Sequence, residues 1–89
     1  MLLRRFAEQL AELTLNLERA YQTHDHAALA DIAHMLAGRA AIIAALQLSK
    51  AAKRLQRAAE ANSSEVTHCY EDLLAMMKLF ATELATALK

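Results

Sequence analysis

This sequence predicts an all-α domain, an antiparallel four-helix bundle, on three observations. Ala and Leu, both strong helix formers, dominate it, while Pro is absent and Gly occurs once. The turn and hairpin chemistry of an all-β fold is therefore missing. Apolar residues recur at spacings of three and four in four successive stretches. Short connections join the stretches, and helices so joined pack as antiparallel neighbours. With 56% hydrophobic residues in 89, the chain can bury one modest core and no second, so residues 1–89 read as one domain.

The first stretch sets Leu3, Phe6, Leu10, Leu13, Leu17 and Tyr21 against Arg4, Arg5, Glu8, Glu12, Glu18 and Arg19. This amphipathic helix should end near Gln22-Thr23-His24, where Thr23 or Asp25 can cap the next one. From Asp25 to Ile43, residues Leu29, Ile32, Ala33, Leu36, Ala40 and Ile43 share one face. One helix from Asp25 to Ala61 would run for over 50 Å at about 1.5 Å per residue, too long for a domain this small. The apolar stripe also changes phase. After Ile43 it becomes Leu48, Ala51, Ala52, Leu55 and Ala59, displaced by roughly 100° where ordinary drift is about 20° per heptad. An unbroken helix would put Arg54 on the face that Leu36 buries. The chain must turn between Ile43 and Leu48.

The third helix should end near Ala61. Asn62-Ser63-Ser64-Glu65 then reads as a loop and N-cap, with Glu65 in capping-box register to Asn62. The last helix carries Val66, Tyr70, Leu73, Met77, Phe80, Leu84 and Ala87, a stripe that Leu74, Ala81 and Leu88 widen for packing between two neighbours.

Ten basic and ten acidic residues give no global pull toward nucleic acid or an anionic membrane. A single cysteine, Cys69, excludes an internal disulfide framework and suits a reducing compartment. No apolar run approaches the roughly 20 residues that span a bilayer, and Met1-Leu2-Leu3-Arg4-Arg5 is too short in apolar residues for a signal peptide. The cytoplasm is the expected location. No Gly-rich phosphate loop, Walker-type motif or Gly-x-Ser-x-Gly elbow occurs. His24 and His26 flank Asp25 at a helix boundary, where they read as solvated capping sooner than as ligands. His68 and Cys69 point about 100° apart on a helix and cannot chelate as an i, i+4 pair would. Met35, Met76 and Met77 read as helix packing or adaptable surface. No metal or cofactor site is expected.

His34 is different. On the second helix it points nearly opposite the apolar stripe, and its helical neighbours are Ala27, Ala30, Asp31, Ala37, Gly38 and Ala41. Outward helix surfaces normally carry Lys, Glu, Arg or Gln. Here the neighbours are nearly all stubs, so the imidazole is reachable by something large. Asp31, three residues earlier, could orient it.

The run Ala33-His34-Met35-Leu36-Ala37-Gly38, followed by Ile43-Ala44-Ala45-Leu46 and later by Leu55-Gln56, resembles the histidine-containing phosphotransfer (HPt) domains of bacterial phosphorelays. Their pattern runs roughly Ala-His-x-Leu-Lys-Gly, then a small-residue turn, then a Leu-Glu pair on the following helix. Three positions depart from it. Ala37 stands where Lys is usual, Arg39 where a small polar residue is common, and Ala44 where a second Gly is usual.

The resemblance implies a four-helix bundle whose phosphoacceptor is His34. It would take the phosphoryl group from a receiver-domain phosphoaspartate and pass it to another response regulator. Imidazole suits this work because it is largely neutral near pH 7 and its N–P bond is labile. The implied partners are receiver domains, with a sensor histidine kinase in cis if the domain belongs to a larger chain. The receiver brings the Mg²⁺, and nothing in 89 residues can bind ATP, so the chain is not expected to be a kinase itself. Gly38 would leave room for the partner, and Ala37 would forgo a contact to phosphate that Arg39, about 140° away around the helix, replaces only in part. Met35, Ile42 and Leu46 either offer an apolar landing strip or complete the core. Lys50, Lys53, Arg54 and Arg57 form a basic stripe that is either a solvated face or a steering surface for acidic receivers. The rival reading is a helical interaction module with His34 as bystander, including a degenerate HPt that docks receivers without accepting phosphate.

Overall fold

A computed structural model describes residues 2–42 and 45–87, with side chains from Arg4 onward. The expectations for Ile43, Ala44, Leu88 and the side chain of Leu3 fall outside these residues. The described residues form α1 (Leu2–Gln22), α2 (His26–Ile42), α3 (Leu46–Glu60) and α4 (Val66–Ala87). Helix α1 packs on α2 and α4, and α3 packs on α2 and α4, so α1 and α3 lie on one diagonal of the bundle. The longest dimension is 39 Å, which a continuous 25–61 helix would overrun. None of the described helices is long and apolar enough to cross a membrane.

The core follows the predicted stripes, except that Ala87 at the end of α4 is exposed. Leu10, Leu17, Leu29, Leu36, Leu55, Leu73 and Met77 are its largest fully buried side chains. Aromatic pairs tie α1 to α4 at both ends. Phe6 meets Phe80 edge to face at 5.8 Å between centroids, and Tyr21 stacks on Tyr70 at 3.9 Å. Tyr21 Oη also shares a 2.9 Å hydrogen bond with Thr67 Oγ1. Burial pushes the Tyr70 phenol above its usual range, with Glu18 adding to the shift.

The connections are capped by backbone geometry. His24 (φ 56°) and Asn62 (φ 50°) take left-handed conformations just past α1 and α3. Asp25 N–H donates to Ala20 C=O at 2.9 Å and His24 N–H to Tyr21 C=O at 3.1 Å. Ser63 and Asn62 repeat the arrangement onto Ala58 and Ala59. Both are Schellman closures. Asp25 Oδ1 then accepts from Ala28 N–H at 3.0 Å and caps α2. The capping box expected at Asn62 is not formed. Asn62 is spent ending α3, and Ser63 Oγ accepts from Glu65 N–H at 3.1 Å instead.

The surface of α2 also differs from expectation. Helical spacing puts Ala30 and Ala37 beside His34 on an outer face, yet both are buried, Ala37 to 3% exposure. A second neighbour is the reason. Ala30, Ala33, Ala37 and Ala40 form an i, i+3, i+4 ridge of stubs, and α3 closes onto it. Ser49 of α3 is itself buried, and its Oγ–H donates to Ala37 C=O at 2.9 Å. Ser49→Ala should cost about 1 kcal/mol, the net worth of such a bond, as measured by urea unfolding.

Candidate functional site

The site is built on α2 and completed by α3. Ala33 and Leu36 are fully buried, which holds the helix in one rotation about its axis. The residues between them, His34 and Met35, are turned outward and exposed. One turn past His34, Gly38 is exposed, and a Cβ there would meet nothing within 4 Å beyond its own helix. No packing demand accounts for this glycine. It leaves a bare strip of backbone beside the imidazole.

Across the α2/α3 seam, Gln56 Oε1 lies 3.4 Å from His34 Nδ1, a long contact, and Gln56 Nε2 lies 3.4 Å from Glu60 Oε2. These contacts favour one tautomer of the neutral imidazole. A carboxylate only accepts, so the amide NH₂ belongs toward Glu60 and the carbonyl oxygen toward His34. An acceptor at Nδ1 places the hydrogen there, which leaves the lone pair on Nε2. Asp31 is exposed one turn before His34, but the side chain that meets the imidazole is Gln56. Neither the face of α2 nor the basic stripe points to Gln56. The Leu55-Gln56 pair is the sequence signal that does.

The surroundings split by chemistry. Met35, Ile42 and Leu46 are 45%, 72% and 60% exposed, so they do not complete the core. Ile42 and Leu46 give the α2–α3 end of the molecule an apolar surface, and Met35 lies about two turns before it on α2. Ala27 and Ala41 are exposed, and Arg39 is half-buried on the far side of α2. Lys50, Lys53, Arg54 and Arg57 are all exposed, and with Gln47 they line a shallow surface depression on α3.

The other histidines are occupied differently. His26 Nδ1 contacts Asn62 Oδ1 and ties the α1–α2 turn to the α3–α4 turn. His68 Nε2 lies 3.3 Å from Asp72 one turn on, beside the half-buried Cys69. Burial pushes the Cys69 thiol up, with Glu65 and Asp72 adding and Arg54 opposing. A thiol so shifted supplies little thiolate at neutral pH. Among the described residues, no group of three His, Cys, Asp or Glu is placed to hold a metal ion.

A family model described as "Hpt domain" matches residues 1–88. No curated protein and no solved structure gives a match.

Proposed function

Because the chain belongs to the Hpt domain family, whose members carry phosphoryl groups on histidine in two-component phosphorelays and work with receiver domains, we propose that His34 is its phosphoacceptor. The domain takes the group from one receiver's phosphoaspartate and returns it to another. The observation that carries this is the pairing of an exposed imidazole, held by Nδ1, with the uncovered backbone at Gly38.

In the forward step the Nε2 lone pair attacks the phosphorus in line, a new N–P bond forms, and the P–O bond to the aspartyl carboxylate breaks. The carboxylate leaves with the electron pair, so no general acid is required. The attacking ring gains positive charge while Nδ1 keeps its hydrogen. Gln56 Oε1, polarised through its amide by Glu60, faces that charge. Mg²⁺ held by the receiver would neutralise charge on the phosphoryl oxygens. Position 37 supplies no cation, and a lysine there would have to leave a closed seam past Ser49.

A receiver charged with acetyl phosphate should label this chain with an acid-labile, base-stable phosphate. No label from any receiver in a panel would overturn the reading. Gln56→Leu should slow transfer roughly fivefold, the equivalent of about 1 kcal/mol for a solvent-exposed hydrogen bond. It should also raise the share of the His34 tautomer protonated at Nε2, read from imidazole ¹⁵N shifts. A rate and tautomer ratio equal to wild type would show that Gln56 does not position the ring.

A further inference from the structure

The basic stripe on α3 is left unused by this chemistry. Three cross-helix contacts set the register of α3 against α2: Ser49 beside Ala37, Gln56 beside His34, and Asn62 beside His26. Lys53, one turn before Gln56, is therefore level with the span between His34 and Ala37. Lys50 is level with Gly38, and Arg57 sits just past Gln56. Lys53 and Arg57 lie on the outward side of Gln56 around the helix, with Lys50 and Arg54 farther out. Among the described residues the one ion pair is His68–Asp72, so these four cations have no anionic partner at ion-pair distance. Within α3 only Glu60 opposes them, while Arg54, the farthest out, shares a shallow depression with Glu65 and Asp72 across the α3/α4 seam. A chain of zero net charge has thus gathered four of its ten cations into one stripe alongside its reactive face.

Resting on the reading above, we propose that Lys50, Lys53, Arg54 and Arg57 form a docking handle for the acidic rim of a receiver domain. The charge on the occupant follows from its chemistry. A protein that forms phosphoaspartate with Mg²⁺ must hold the ion with carboxylates close to the reacting group. When Nε2 of His34 meets that phosphorus, the carboxylates lie within a side chain's reach of a stripe level with His34. The handle acts on encounter and orientation. It raises the association rate and favours receivers with carboxylates on the α3 side of the aspartate. The transfer step itself stays with His34.

The test is transfer from a receiver charged with acetyl phosphate, comparing wild type with Lys53→Glu/Arg57→Glu and with Arg4→Glu/Arg5→Glu. The second pair changes net charge equally but lies on exposed positions of α1. At low salt the α3 variant should lose roughly tenfold or more in kcat/KM, within the usual range of electrostatic steering. Its single-turnover rate at saturating receiver should match wild type, and its salt dependence should flatten. The α1 variant should match wild type throughout. Equal kcat/KM in the α3 variant and wild type, or an equal loss in the α1 variant, would overturn the handle and leave His34 as phosphoacceptor. Absence of wild-type label would overturn both.

Discussion

Replacing His34 with Gln should remove all phosphate transferred from a charged receiver, with no loss of helicity and a shift in stability within about 0.5 kcal/mol. The two outcomes separate because the imidazole is exposed and its contact with Gln56 is long. Gln is a good helix former and leaves no cavity at a surface position. Chemically the change is complete, since an amide nitrogen has no free lone pair with which to attack phosphorus. Single substitutions of His24, His26 and His68 should keep the label. His24 occupies the left-handed closing position after α1, His26 bridges to Asn62, and His68 faces the carboxylate of Asp72. Label persisting in the His34→Gln protein, or lost in one of the other three, would assign the phosphate elsewhere.

The architecture was legible because helices this small declare themselves through period and phase. The break between α2 and α3 contains no Pro or Gly, yet the shift of the apolar stripe across Ile43 located it. Arg54, the residue that an unbroken helix would have buried, is exposed. The ends of α1 and α3 fall where the sequence places them, but their closing geometry carries no glycine signal, because His24 and Asn62 take the left-handed positions. The misjudged surface around His34 has a different origin. A wheel drawn for one helix assigns one buried face, but α2 has packing neighbours on two sides. Alanine is compatible with solvent or with close helix contact, so Ala30 and Ala37 carried no mark of which applied. Gln56 belongs to the same class of miss. It reaches the imidazole only through the α2/α3 register, and that register is set by buried small residues and Ser49.

Gly38 should prove functional by a combination of results that no packing role would give. In the last turns of a helix, Gly costs roughly 0.5–1 kcal/mol relative to Ala. Added atoms at this site would meet nothing beyond the helix itself. Gly38→Ala should therefore stabilise the domain by about that amount and raise Tm by several degrees. Gly38→Gln should also fold at least as well as wild type, but its side chain would stand one turn from His34 in the path of an incoming receiver. Docking displaced by about 1 Å is enough to lower transfer roughly 10²-fold. A small donor such as phosphoramidate needs no docked surface, so its labelling of His34 should be nearly the same in both variants and wild type. Measurement of Tm, receiver-dependent transfer and phosphoramidate labelling across the three proteins separates the causes. Receiver transfer in Gly38→Gln equal to wild type would mean that the partner does not approach over this strip. A fall in Tm for Gly38→Ala would mean that the glycine is kept for the fold, and the bare backbone beside His34 would lose its functional meaning.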